Sequence, residues 1–256
     1  MRTVSAEDLR DGFNSLPPVD YRSTRIFCAL AIFTALLGST TPSPLYPLYV
    51  QEWSISQSAV TSVFAIYTIG ALISFRLTGN VKRWIDPPQY IVAFGMVIIS
   101  LGALIMALAP DLKWLLFGRF LTGLGTGAVS GIATASLYDM AKGKALGRAT
   151  FLGTIAFTAG AAIGPVTSSL AVLIDVAPTV VAYLPVVGLS LVSAIGLYIS
   201  RCWPGEHGRL RAAPGEGNVE PAAAAPLQWA RDSVFTASVL ALSITWIIGS
   251  TLMALG

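Results

Sequence analysis

The chain has 256 residues, of which 54% are hydrophobic and 11% are charged, and its mean hydropathy is +0.71. An average soluble domain carries roughly 25% charged residues, so this composition excludes a single soluble core. The net charge of +3 comes from cations spread along the chain, and no nucleic-acid partner is expected because these cations do not form one basic face.

Seven long apolar runs follow one another along the chain. Each is near the ~20 residues that a helix needs to cross a hydrocarbon layer of about 30 Å. Isolated strands would leave backbone groups unpaired in lipid, and the runs lack the alternation of a membrane β-barrel. The sequence therefore predicts an all-α integral membrane protein in contact with the lipid bilayer. The runs are 26–50, 54–75, 89–109, 114–137, 149–174, 178–200 and 233–256.

The runs divide the chain into four parts. A polar tail, 1–25, precedes a bundle of six membrane helices, 26–200. The next stretch, 201–232, is rich in Gly, Pro and Ala without apolar periodicity, which predicts a flexible linker. A seventh membrane helix, 233–256, follows it.

Basic residues alternate between the connecting segments. Short loops rich in Lys and Arg stay on the cytoplasmic side of a membrane. Clusters precede the first run and follow the second, fourth and sixth, whereas the other loops hold only Lys113. This pattern predicts a multi-pass protein of the cell (inner) membrane, with its N-terminus in the cytoplasm and its C-terminus outside. The clusters are Arg2, Arg10, Arg22 and Arg25; Arg76, Lys82 and Arg83; Lys142, Lys144 and Arg148; and Arg201, Arg209, Arg211 and Arg231.

The fourth run contains the one charge found in any run, Arg119. A guanidinium costs roughly 2.5–3.5 kcal/mol at mid-bilayer on insertion scales. It either extends to the headgroups or faces a polar cavity, where it could bind an anionic group or control the protonation of a neighbour. Gly123, Gly127 and Gly131 follow at intervals of four and predict a stripe on which another helix packs closely.

The fifth run contains Gly160, Gly164 and Pro165. The glycines lie four residues apart on one helix face, and Pro165 removes one backbone hydrogen bond. This arrangement predicts a bend combined with a close helix contact. Six aromatic residues are candidates for lining a solute cavity, with packing as the alternative: Phe33, Tyr46, Tyr49, Phe64, Tyr67 and Phe157.

These motifs resemble those of the major facilitator superfamily of secondary transporters. The stretch 119–127 is similar to the fourth-helix motif of the family, 160–165 to the GxxxGP motif of its drug/proton antiporter branches, and 41–49 to the outer end of the first helix in many bacterial members. The resemblance covers about 26–256. It implies a six-helix N-terminal bundle that transports a small organic solute, with efflux by gradient-driven alternating access.

The loop after the second run departs from the family pattern. The family usually carries Gly-x-Leu-x-Asp-Arg-x-Gly-Arg-Arg there, as a cytoplasmic charge latch. This chain keeps Gly79 but has Arg83 at the acidic position and prolines in place of the basic pair. The candidate cytoplasmic gate is therefore Gly79 together with a pairing between Arg83 and Asp139.

The resemblance also implies two six-helix halves around a shared cavity. This chain is expected to need a homodimer or a second transporter half, or else to be a shortened remnant. A non-transporting membrane interaction protein remains the alternative. No Asp, Glu or His lies within a predicted span, so coupling to protons would need groups from elsewhere.

An enzyme is disfavoured by the lack of clustered nucleophiles, bases or metal ligands. The chain has one His and two separated Cys. No catalytic residue, metal or cofactor is therefore expected.

Overall fold

The computed structural model describes residues 22–81, 89–140 and 145–200, which all belong to one of the chain's two units, Met1–Arg211. Within these residues all regular elements are helices, which confirms the all-α prediction. The linker and the seventh run lie outside the described residues. The helices are α1 (Arg22–Thr40), α2 (Tyr46–Trp53), α3 (Gln57–Val81), α4 (Gln89–Ala107), α5 (Leu112–Asp139), α6 (Ala145–Ile174) and α7 (Pro178–Ile199), with a 3-10 helix at Ser43–Leu45.

Six segments of the described chain are long and apolar enough to span a membrane, and they match the first six predicted runs. The protein is therefore a multi-pass membrane protein. The boundaries differ by a few residues from the predicted ones, and α1 already begins at Arg22 within the predicted tail. The segments are Arg22–Trp53, Ser58–Thr78, Gln89–Ala107, Leu112–Leu137, Gly147–Ile174 and Pro178–Ile199.

The first run is broken near its C-terminal end, which its apolar composition did not predict. Helix α1 stops at Thr40, and α2 starts six residues later. Pro42 and Pro44 lie in this break, and neither has a backbone N–H to continue a helical ladder. The Leu37 carbonyl accepts both the Thr41 hydroxyl at 2.7 Å and the Thr41 backbone N–H at 2.9 Å, which closes the end of α1.

The turns at the predicted outer ends of the helices are short. Asp111 caps α5, because its side chain accepts hydrogen bonds from the N–H groups of Lys113 at 3.0 Å and Trp114 at 3.1 Å. Between α6 and α7 only three residues intervene, and Pro178 is well suited to the first helical position. Such short connections make successive helices antiparallel neighbours.

Helix α5 is the centre of the bundle. It packs against α3 on one side, α4 on another and α1 on a third. Helix α4 also packs on α7, and α1 packs on α6 and α7. Lipid chains are as apolar as the helices, so helix positions depend on shape and on close contacts.

Two members of the predicted glycine stripe touch the backbone of α3. A methyl group at Gly123 would overlap the Tyr67 carbonyl oxygen, and one at Gly127 would lie 2.6 Å from the Ala71 carbonyl oxygen. Gly131 differs, because its nearest neighbour is the Phe75 ring at 3.5 Å. Close backbone approach thus requires glycine at the first two positions and not at the third.

A second glycine contact, which the sequence analysis missed, joins α5 to α4. A methyl group at Gly118 would lie 2.8 Å from the Gly102 carbonyl oxygen, and one at Gly125 would lie 2.6 Å from the Gly95 carbonyl oxygen. Gly118 and Gly125 are seven residues apart on α5, and Gly95 and Gly102 are seven residues apart on α4. Each helix therefore presents its two glycines on one face. That shared spacing of seven was the available signal.

These contacts give opposite expectations for two similar substitutions. Replacing Gly by Ala in a helix interior usually stabilises it by about 0.5–1 kcal/mol. Gly131→Ala should show this gain, because its new methyl group fits. Gly123→Ala should instead lower the free energy of unfolding by about 1–3 kcal/mol, since the new methyl forces α3 and α5 apart. Denaturant titration of the purified protein in detergent measures both, and equal stability of the two variants would contradict the contact.

Candidate functional site

Arg119 lies inside the bundle with only 1% of its surface exposed. Its Nε and Nη2 groups donate to the Tyr46 hydroxyl oxygen at 3.2 and 3.0 Å, and Nη1 donates to the Ser39 carbonyl oxygen at 3.0 Å. The guanidinium therefore points toward the junction of α1 and α2. In this structure it is enclosed by protein rather than extended to the surface.

The break in the first run creates these acceptors. Ser39 is one of the last four residues of α1, whose carbonyls have no partner inside the helix. A cation near such a helix end is also favoured by the helix dipole. Tyr46 begins α2 directly after the 3-10 helix, so the proline-rich break places its ring beside the end of α1. No sequence pattern predicted the Ser39 carbonyl as an acceptor, because backbone acceptors leave no residue signature.

Four tyrosines surround the guanidinium, and we call them with Arg119 the arginine–tyrosine cluster: Arg119, Tyr46, Tyr49, Tyr67 and Tyr183. The Cζ atom of Arg119 lies 5.0 Å from the centre of the Tyr67 ring, within the range of a cation–π interaction. Tyr49 follows Tyr46 by about one turn on α2. Tyr49 and Tyr183 lie near enough to Arg119 and to each other for their charges to be coupled. Their buried hydroxyls nevertheless complete no hydrogen bond of good geometry among the described residues.

Aromatic side chains support this cluster from α2 and α3. The Tyr46 ring lies 4.9 Å from the Phe64 ring, and the Tyr49 ring stacks on Trp53 at 4.7 Å. Aromatic pairs at these distances add about 0.5–1.5 kcal/mol beyond their buried area. The phenols are thereby held in place around the charge.

A separate feature, a concavity that we call the inner groove, lies between α1, α5 and α6. It is a partly open cavity of about 220 Å³, smaller than a typical drug site of about 300–1,000 Å³. Its lining carries no charge, and its side-chain polar groups are two threonine hydroxyls. Of the six aromatic candidates, Phe157 lines it. The lining residues are Ile32, Thr134, Leu137, Ala149, Gly153, Thr154 and Phe157.

The glycines of the fifth run place α6 directly on α1. A methyl group at Gly160 would overlap the Phe33 carbonyl oxygen, and one at Gly164 would overlap the Thr40 hydroxyl. Helix α6 continues through Pro165. The buried Ser168 hydroxyl donates to the Gly164 carbonyl oxygen at 2.9 Å. These residues form a helix contact beside the inner groove.

The candidate cytoplasmic gate falls mostly outside the described residues. Gly79 is in the last turn of α3, and the backbone of Asp139 ends α5. Arg83 and the side chain of Asp139 are not described. The proposed pairing of these two residues therefore stays a prediction.

The hydrogen bonds of Arg119 can be tested with two matched tyrosine variants. Tyr46→Phe removes the acceptor of two N–H groups, and hydrogen bonds to charged groups contribute about 1.5–3 kcal/mol each, so the free energy of unfolding should fall by roughly 3–6 kcal/mol. Tyr67→Phe keeps the ring over the guanidinium and should cost less than about 1 kcal/mol. Denaturant titration in detergent compares them, and a loss at Tyr67→Phe equal to that at Tyr46→Phe would argue against the hydrogen bonds.

Known proteins are similar to parts of this chain. Multidrug resistance protein 2 of Bacillus subtilis (strain 168) is 28% identical over 52% of this chain and 33% of its own length. Multidrug resistance protein 1 of the same organism is 25% identical over 52% of this chain and 34% of its length. Polyol transporter 5 of Arabidopsis thaliana is 29% identical over 39% of this chain and 18% of its length. The matches span about a third or less of these relatives.

The family model extends further than any of these pairwise matches. The model of the Major Facilitator Superfamily matches residues 28–256. This range includes the six described spans from the second turn of α1 onward, with both the arginine–tyrosine cluster and the inner groove. On this evidence the chain belongs to the Major Facilitator Superfamily.

Proposed function

We propose that this chain exports small organic solutes across a membrane by a gradient-driven, alternating-access mechanism. The inner groove carries the proposal. Ile32 and Leu137 supply an apolar wall, the Phe157 ring supplies an aromatic surface, and the hydroxyls of Thr134 and Thr154 can orient a polar substituent. The groove is large enough for part of a solute.

The relatives favour export over uptake. Two of them are named for multidrug resistance, a property that calls for removal of small molecules from the cell. In the orientation that the basic loops predict, the groove would lie on the cytoplasmic half of the bundle, where a solute awaiting export would enter. An uncharged lining suits solutes that are recognised through apolar contact.

Alternating access requires helices that can shift against one another. Small-residue contacts bring backbones together without interlocking large side chains. Gly160 and Gly164 create such a contact between α6 and α1, and both helices line the inner groove. We propose that movement of α6 along α1 changes the shape of the groove during transport.

The opposing surface comes from a second six-helix unit in this proposal, either a second copy or a second transporter half. The candidate spans in α3 and α6 bury 17% and 22% of their residues, against at least 44% for the other spans. These two helices have the most surface available for a second unit or for lipid. Glu52, exposed near the end of α2, is the one carboxylate of the described spans, so if protons drive export, a proton carrier inside the bundle must be another kind of group.

Flux measurements test the proposal directly. The full 256-residue protein would be reconstituted in vesicles, alone and with candidate second halves, and given radiolabelled neutral, cationic and anionic aromatic solutes. A pH or sodium gradient should drive accumulation of at least one solute class. Absence of gradient-linked flux under all of these conditions would reject transport, and stable capture of a partner without flux would favour an interaction protein.

The inner groove can be filled by one substitution that has a matched control. Gly153 lines the groove with open space beside it, and its nearest neighbour is the Leu137 side chain at 3.6 Å. Gly153→Leu should reduce solute binding and flux at least tenfold, the equivalent of about 1.4 kcal/mol. Gly147→Leu adds the same side chain to α6 where nothing lies within 4 Å, and should leave both unchanged. Equal flux in the two variants would exclude the groove as the solute site.

A further inference from the structure

The positive charge of Arg119 has no described counter-charge. A guanidinium has five N–H groups, and the three that are bonded reach neutral acceptors, the Tyr46 hydroxyl and the Ser39 carbonyl. The groups that act on the guanidinium electrostatically are tyrosine phenols, with no carboxylate from the described residues among them. Glu52 acts on Tyr49 but is exposed on α2. A buried charge without a counter-charge lowers the stability of the folded protein.

Two further hydroxyls of the cluster, those of Tyr49 and Tyr183, interact with each other but complete no hydrogen bond of good geometry within the described part of the chain. Tyr49 is 1% exposed and Tyr183 is fully buried. Both interact with the field of Arg119. They come from α2 and α7, so two separate helices bring an unused hydroxyl to the same cation.

The unused groups of the cluster are donors. Two N–H groups of Arg119 remain, and the Tyr49 and Tyr183 hydroxyls each have a hydrogen to donate. The Tyr46 oxygen already accepts two hydrogen bonds from Arg119, so its own hydrogen is available as well. Several donors around a fixed positive charge favour a bound anion, since charge-assisted hydrogen bonds are the strong ones.

We propose that the arginine–tyrosine cluster binds one small monovalent anion, either a halide ion or the carboxylate group of a small solute. Arg119 supplies the counter-charge, and Tyr49 and Tyr183 donate hydrogen bonds from two different helices. The tight burial of these side chains limits the ligand to a single ion or one carboxylate group. A water molecule would satisfy the hydroxyls but would leave the charge of Arg119 uncompensated.

Binding to the full-length protein in detergent tests this site without any transport step. Radiolabelled chloride and radiolabelled acetate would each be titrated by equilibrium dialysis, with gluconate as the replacement anion at constant sodium. At least one of them should bind saturably at one site per chain. Competition between them identifies the ligand: chloride that displaces acetate shows a site open to halides, and acetate binding unaffected by chloride shows a carboxylate site.

Tyrosine variants locate the site within the fold. Tyr49→Phe and Tyr183→Phe should each weaken binding roughly tenfold, because each removes one hydrogen bond to a charged ligand while preserving the ring. Tyr198→Phe is the matched control, because Tyr198 lies elsewhere on α7 with its exposed ring against Tyr90 of α4. This variant should bind the anion as the original chain does. Thermal unfolding in gluconate checks that each variant is folded.

Two results would overturn the proposal. One is the lack of saturable binding of either anion to the original chain up to about 0.15 M, the physiological ionic strength. The other is unchanged affinity in both folded cluster variants, which would place the anion elsewhere. Either result leaves the proposed export untouched, because solute flux and the inner groove are measured separately.

Discussion

The bundle depends on the close backbone approach of α5 to its neighbours. In lipid no hydrophobic force draws two apolar helices together, so shape and close contact decide where each helix lies. Helix α5 meets α4 through Gly118 and Gly125 and meets α3 through Gly123 and Gly127. Arg119 projects between these two faces at a helical step of about 100° per residue. Packing on both sides therefore directs the Arg119 guanidinium toward the end of α1.

The break in the first span supplies the hydrogen-bond acceptors for this buried charge. A continuous helix would have paired the Ser39 carbonyl within its own ladder, and Tyr46 would have followed further along the same axis. The prolines end α1 early, which frees the carbonyl and turns Tyr46 toward the guanidinium. An irregular backbone is tolerated at membrane depth only where its polar groups are satisfied by protein or water. Arg119 donates a hydrogen bond to the Ser39 carbonyl at this break, so the break and the arginine stabilise each other.

The sequence predicted the helices well because length and apolar character are local properties. It also located Gly123 and Gly160, since a spacing of four marks one helix face. It did not distinguish Gly123 from Gly131, whose spacing is the same but whose neighbours are a carbonyl oxygen and a ring. Nor did it associate Tyr183 with Arg119, because helix rotation and neighbour choice decide such contacts and both depend on the whole bundle. Thr134 and Thr154 were missed in the inner groove for the same reason.

The two candidate sites share the helices α1 and α5, one at each end of the bundle. Ile32 of α1 lines the inner groove, while Ser39, two turns later on the same helix, accepts the hydrogen bond from Arg119. A helix is stiff over so short a distance, so a tilt of α1 that widens the groove must also move Ser39 relative to α5. In the proposed transport cycle, an anion that tightens the arginine–tyrosine cluster would therefore oppose that tilt. The strength of this opposition is limited to the difference in anion affinity between the two positions of α1.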